Sequence, residues 1–264
     1  MSVSDGVNAI RGFASGDPNR TADRAEVRSS LEDISLQHRA FDESALLVAA
    51  KLRKQLGDGP TVLVLTSLTA REGVSAATAE LARVLSTTKG AEPILVVDAN
   101  LNSPSQHERF GVSPEPGLIQ VLSGESTVSE AVHPTRSESL YVLPAGADDS
   151  LDRGFLNART AAYLEVLGVV RSQFHTILID APSLMDRGVS AFVASQSDGV
   201  MMLVTARRHE RGRLKKALGE LESFGAKVLG VCLTETGEAL PGLSERLRAS
   251  AQSVGRWMTR HDPR

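Results

Sequence analysis

The feature that most limits the fold is an alternation: short apolar runs of strand length take turns with segments of helical periodicity from 61 to 233. The runs are TVLVLT (61–66), PILVVD (93–98), SLYVLPA (139–145), TILID (176–180), GVMMLV (199–204) and KVLGVCL (227–233). They are apolar almost throughout, as strands covered on both faces must be. Parallel strands need long crossovers, and helical segments at 74–88, 156–174, 188–197 and 210–224 supply them, with shorter helices at 117–123 and 126–133. Along 156–174, Leu164, Leu167, Val170 and Arg171 recur at helical spacing. The pattern predicts an α/β fold, a doubly wound, mainly parallel sheet in a three-layer α/β/α arrangement. Two further helices are expected, at 43–56 and 243–258.

Composition narrows the function. Aromatic residues make up only 4% of the 264 residues, so Val, Leu, Ile and Ala must fill the core. A net charge of −3 argues against a protein that coats nucleic acid, which needs a basic excess. The lone Cys232 excludes a disulfide scaffold. The six histidines, His38, His107, His133, His175, His209 and His261, show no metal-ligand spacing. No run approaches the roughly 18 apolar residues of a membrane span. Residues 1–40 carry mixed charge and few large apolar groups, too little burial to offset ordering entropy. They are expected to be a disordered tail or docking arm, with 41–264 as one domain.

In doubly wound sheets, ligands bind beyond the carboxyl ends of the strands, where the strand order reverses. The loop after the first run reads TSLTAREGVSAA (66–77). A phosphate-binding loop of the form GxxxxGK[ST] uses glycines to wrap backbone N–H groups around phosphate, a lysine to neutralise it and a hydroxyl to hold Mg²⁺. This loop keeps Gly73 and Ser75 but has Leu68 at the first glycine and Val74 at the lysine. Two apolar runs end in aspartate, Asp98 and Asp180. That is the pattern by which a carboxylate reaches the Mg²⁺ shell; it equally suits strand-end caps that bind neighbouring N–H groups. Arg71 is either a solvated loop residue or a guanidinium that supplies the missing charge.

Taken in order, these segments resemble the cytoplasmic bacterial tyrosine kinases of capsule and exopolysaccharide biosynthesis (BY-kinases), relatives of the ParA/MinD-type P-loop ATPases. The family pattern TSxxPGEGKST is met by TSLTAREGVSA (66–76), and vDaDlRrPslh by VDANLNSPSQH (97–107). A GL-x-x-vLsGe stretch is met at 117–125, LyvLpaG at 140–146, fdyviiDtPP at 174–183 and vlGvvlN at 228–234. The resemblance spans roughly 41–234 and implies the P-loop NTPase fold. It also implies a nucleotide site at Arg71, Glu72, Gly73, Val74, Ser75 and Ala76, Mg²⁺ ligands Ser75, Asp98 and Asp180, and, in an active protein, catalysis by Asp98 and Asp180.

The departures from the pattern carry as much information. Val74 replaces the lysine, Arg71 a glycine, Ala76 a hydroxyl residue, Asn100 an aspartate and Asn102 an arginine. The ExxRxxR oligomerisation motif survives only as Arg53, with Leu47 and Ala50 at its other places. The C-terminal tyrosine cluster is missing, since the chain has only Tyr141 and Tyr163. Losing one electrostatic contact to the transferred group costs on the order of 10²–10³ in rate. The resemblance, so modified, implies weak binding of ATP and Mg²⁺ and a protein that acts as partner or regulator of an inner-membrane polysaccharide co-polymerase, cytoplasmic and peripheral to the membrane, with homo-oligomers open and no nucleic acid. The basic run Arg207, Arg208, Arg211, Arg213, Lys215 and Lys216 is a solvated helix face or, as the resemblance implies, a contact for anionic lipid or for the cytoplasmic tail of such a partner. Two alternatives stand beside this: an active tyrosine kinase or ATPase of the same family, and a ParA/MinD-like positioning ATPase.

Overall fold

The computed structural model describes residues 59–87, 91–147, 158–185, 189–205 and 211–234. All of them fall within the unit Ala40–Arg264. The tail expected at 1–40, the helices expected at 43–56 and 243–258, and Arg207 and Arg208 lie outside the described residues.

The elements run in chain order as β1 (Thr61–Ser67), α1 (Val74–Ser86), β2 (Ile94–Asp98), α2 (Gln106–Phe110), α3 (Leu118–Ser123), α4 (Val128–Ala131), β3 (His133–Pro134) and β4 (Leu140–Leu143). Then follow α5 (Thr160–Gln173), β5 (Thr176–Asp180), α6 (Val189–Ser195), β6 (Gly199–Thr205), α7 (Arg211–Ser223) and β7 (Val228–Thr234). The six apolar runs are therefore strands, each within one or two residues of its expected limits. They form one sheet of order β3-β4-β2-β5-β1-β6-β7, parallel except for the short β3–β4 pair. Growth from β1 passes through β2 to β4, returns to β5 and leaves on the other side through β6. The order thus reverses around β1 and β5, with β2 alongside.

Successive side chains alternate between the two faces, as the pleat requires. Val62 and Val64 join one buried cluster, with Tyr163, Val170, Val193 and Leu221 from α5, α6 and α7. Leu63 and Leu65 join the other, with Val74, Leu81 and Ala82 from α1. The sheet is thus covered on both faces, which is why its strands carry almost no polar residues.

Two expectations need correction, and one element had no sequence expectation at all. On α5 the buried residues are Tyr163, Val166, Leu167 and Val170; Leu164 is 44% exposed. The inward stripe is set one position from the one that included Leu164 and Arg171, because Tyr163 fills the core space. The segment 126–133 is one turn of helix that gives way to an antiparallel edge strand at His133–Pro134. Proline has no N–H for the ladder and is tolerated there because the strand is at an edge. Helix α2 was not expected. It is five residues long, too short to show a period, and it forms because groups outside it satisfy its first N–H groups.

Candidate nucleotide and cation site

Strand pairing builds the acidic centre. Asp98 and Asp180 end neighbouring strands and stand opposite each other in the β2–β5 register. Counting back by two from each reaches Val96 and Leu178, both in the cluster beneath α1. The two carboxylates therefore project from the same face, toward α1 and α2. Neither residue is exposed to solvent.

Their surroundings differ. Asp98 accepts three backbone hydrogen bonds, from Asn100 N at 3.2 Å, Ser105 N at 2.9 Å and Gln106 N at 2.9 Å. Two of these donors open α2, so Asp98 caps that helix from the neighbouring strand. Asp180 instead receives Gln106 Nε2 at 2.7 Å, and the nearby Ser75 side chain favours its charged form. The same Gln106 nitrogen donates to Ser75 O at 3.0 Å. One side chain thus ties the end of β5 to the first turn of α1. Burial pushes Asp98 up to about 6, against the pull of its backbone donors and of Arg109. Burial first, then the negative charge of Asp98, pushes Asp180 up to about 7. Two buried carboxylates side by side resist ionising together.

The loop between β1 and α1 keeps the backbone of a phosphate-binding turn while its side chains have changed. Arg71 holds φ at 65° and Gly73 at 84°. Left-handed backbone is natural for glycine and strained for arginine, so Arg71 occupies a conformation suited to the glycine of the family pattern. Its side chain is exposed, as is Ala76. Glu72 is wholly buried. Its carboxylate accepts from Thr69 N at 2.9 Å and Thr69 Oγ1, and from Thr205 N at 2.9 Å at the end of β6. It therefore shapes the loop and fastens it to the sheet. Val74 is 8% exposed and packs into the apolar cluster with Leu63, Leu65 and Leu203. The first N–H groups of α1, a 13-residue helix, remain the donors suited to an anion.

The structure brings Ser75, Asp98 and Asp180 together around Gln106. It sets Asp98 in the capping role and turns Glu72 and Val74 inward. Gln106 was missed. Its only sequence signal is that it stands where the pattern vDaDlRrPslh has an apolar residue. Two acceptor atoms in this centre, Asp180 Oδ1 and Gln106 Oε1, are buried without a hydrogen-bond partner. Unpaired oxygens beside a carboxylate pair suit a hard divalent cation or its water, so the residues fit Mg²⁺.

No family model matches the chain. Among curated proteins it is similar to EpsB of Ralstonia nicotianae, named provisionally as a tyrosine-protein kinase, at 27% identity over 74% of this chain and 26% of that protein. The chain thus spans about a quarter of the length of that relative. It is also similar to the tyrosine-protein kinase CpsD of Streptococcus agalactiae, at 27% identity over 68% of this chain and 77% of the relative. The fold matches the VpsO kinase domain with a TM-score of 0.65 at 24% identity, over 79% of this chain and 98% of that one. It matches the kinase domain of the Escherichia coli tyrosine kinase ETK with a TM-score of 0.67 at 18% identity, over 74% and 75% of the two chains. The resemblance to bacterial tyrosine kinases is therefore carried by sequence and fold together. The α/β fold is that of their kinase domains.

Proposed function

We propose that this chain is a kinase-like component of an exopolysaccharide or capsule assembly system, with a degenerate nucleotide site, and that it acts through its surface as partner or regulator of a membrane polysaccharide co-polymerase. The observation that carries the reading is Val74. At the position where the family pattern has its phosphate-binding lysine, the side chain is apolar, buried and packed into the core. A phosphate at the start of α1 meets helix N–H donors but no cation from this position.

In the family, ATP with Mg²⁺ supplies the phosphoryl group and neutralises its charge. Here Ser75, Asp98 and Asp180 would hold the cation, and the N–H groups of 73–76 would face the phosphates. Asp98 is committed to three N–H groups, and Asn100 offers an amide where a general base is needed, so hydroxyl activation lacks its proton acceptor. What remains is a folded scaffold with weak affinity for ATP. Its working surface includes the basic face of α7, where Arg213, Lys215 and Lys216 lie. Charge of this kind steers encounter with an acidic partner.

The test is in cells that make the polymer. Reversal of Arg207, Arg208, Arg211 and Arg213 to Glu releases the protein from the membrane fraction and impairs export, while Val74→Ala leaves export unchanged. Export lost in Val74→Ala at normal protein levels, or membrane association that survives the charge reversal, overturns the reading.

A further inference from the structure

Gln106 connects three parts of the site, and a degenerate nucleotide centre does not by itself require it. Its side chain is fully buried. Its amide nitrogen has two hydrogens, and the structure uses both: one goes to Asp180 Oδ2 at 2.7 Å and the other to Ser75 O at 3.0 Å. Its backbone N–H goes to Asp98 Oδ2 at 2.9 Å. A single residue thus supplies positive dipole to both buried carboxylates and holds β2, β5 and α1 together. That is the task a divalent cation performs among carboxylates at strand ends. The remaining atoms of the two groups, Asp180 Oδ1 and Gln106 Oε1, lack partners, so the centre is joined but not saturated.

We propose that Gln106 is a built-in lock on this acidic centre: its carboxamide stands in for a divalent cation between Asp180 and the first turn of α1, so the centre closes without metal and a cation has to compete with the amide for the Asp180 carboxylate. The inference rests on the reading of this centre as the nucleotide and metal site. The physical reason is competition for one carboxylate. A cation that takes Asp180 Oδ2 leaves a buried N–H of Gln106 without its acceptor, and one that takes Oδ1 alone sits beside an NH₂ group already donating to the same carboxylate. The first route carries the penalty of a disrupted buried hydrogen bond to a charged group; the second keeps that bond but meets a carboxylate whose charge the amide already partly satisfies. An apolar residue at 106, as in the family pattern, imposes no such competition.

The probe is Mn²⁺ alone, without nucleotide, titrated into the full chain and followed by electron paramagnetic resonance and by thermal melting. Gln106→Leu should bind Mn²⁺ roughly ten- to hundredfold more tightly than wild type, the Boltzmann weight of one buried hydrogen bond to a charged group. Its melting temperature should fall in chelator and recover with Mn²⁺, whereas wild type melts at the same temperature with or without the ion. Should the leucine variant not fold, Gln106→Glu serves. A third carboxylate there should make folding depend on Mn²⁺, and a variant indifferent to the ion refutes the lock. Equal Mn²⁺ affinity in wild type and Gln106→Leu overturns the proposal. Weaker binding in the variant also overturns it, because Gln106 Oε1 would then be a ligand. Tight ATP binding by wild type, alongside the expected Mn²⁺ gain in Gln106→Leu, would sink the proposed function and leave the lock standing.

Discussion

Replacing Asp180 with Asn should make the protein more stable at pH 8 and leave it nearly unchanged at pH 4. An unfolded chain ionises Asp180 near the ordinary 3.8, while burial and Asp98 hold the folded group up to about 7. Between those values the folded state binds the extra proton, so stability falls as pH rises. It is fully present below the ordinary value and lost by the time pH passes the raised one. Each pH unit of difference corresponds to about 1.4 kcal/mol, so keeping the ionised group buried costs on the order of 4 kcal/mol at pH 8. The hydrogen bond from Gln106 to the charged group offsets part of any gain on removing it, at about 1.5–3 kcal/mol. The amide of the Asp180→Asn variant keeps an acceptor for Gln106, so the net gain should be roughly 2 kcal/mol at pH 8. Urea unfolding in chelator from pH 4 to pH 8 measures it, with the variant giving a flatter profile than wild type. A variant destabilised at pH 8 as much as at pH 4 refutes the reasoning, because Asp180 would then be an ordinary, well-solvated carboxylate.

Three further outcomes follow from the same geometry. Glu72→Ala leaves the N–H groups of Thr69 and Thr205 without the carboxylate that binds them; it should cost about 3 kcal/mol in chemical denaturation and loosen amide-exchange protection at the end of β6. Arg71→Gly should stabilise the protein by about 1 kcal/mol, since a left-handed φ strains any residue with a Cβ; a melting temperature below wild type would contradict this. Gly117→Ala should destabilise by about 2 kcal/mol or more, because a Cβ there would meet Gly146 N at 2.3 Å and Pro144 O at 2.6 Å, backbone that cannot swing aside.

How much was legible in the sequence depends on how each contact is made. The strands were readable because burial on both faces forces apolar runs, and β5 matches its expected limits, Thr176–Asp180. Asp98 and Asp180 were readable as a pair because each ends such a run, and parallel register then places them side by side. The hydrogen bond from Thr205 to Glu72 spans 133 residues of sequence, and no local pattern encodes it. Gln106 is one of four polar residues in a helix of five, QHERF, too short for a period to reveal that it is the one that faces inward. The reversal of Leu164 and Tyr163 on α5 shows a further limit. Both residues are apolar enough to be buried, and it is tertiary packing, which sets Tyr163 edge-on to Phe192, that selects the tyrosine.

Calorimetric titration with ATP and Mg²⁺ tests the proposed loss of charge at the nucleotide site. Wild type should give no saturable heat at micromolar ATP. Val74→Lys should bind at least tenfold more tightly, because a point charge returns beside the phosphates, while losing about 1–2 kcal/mol of stability as the buried valine contacts go. Low-micromolar affinity in wild type would contradict the account. Equal affinity in the two proteins would show that position 74 does not face the phosphates at all.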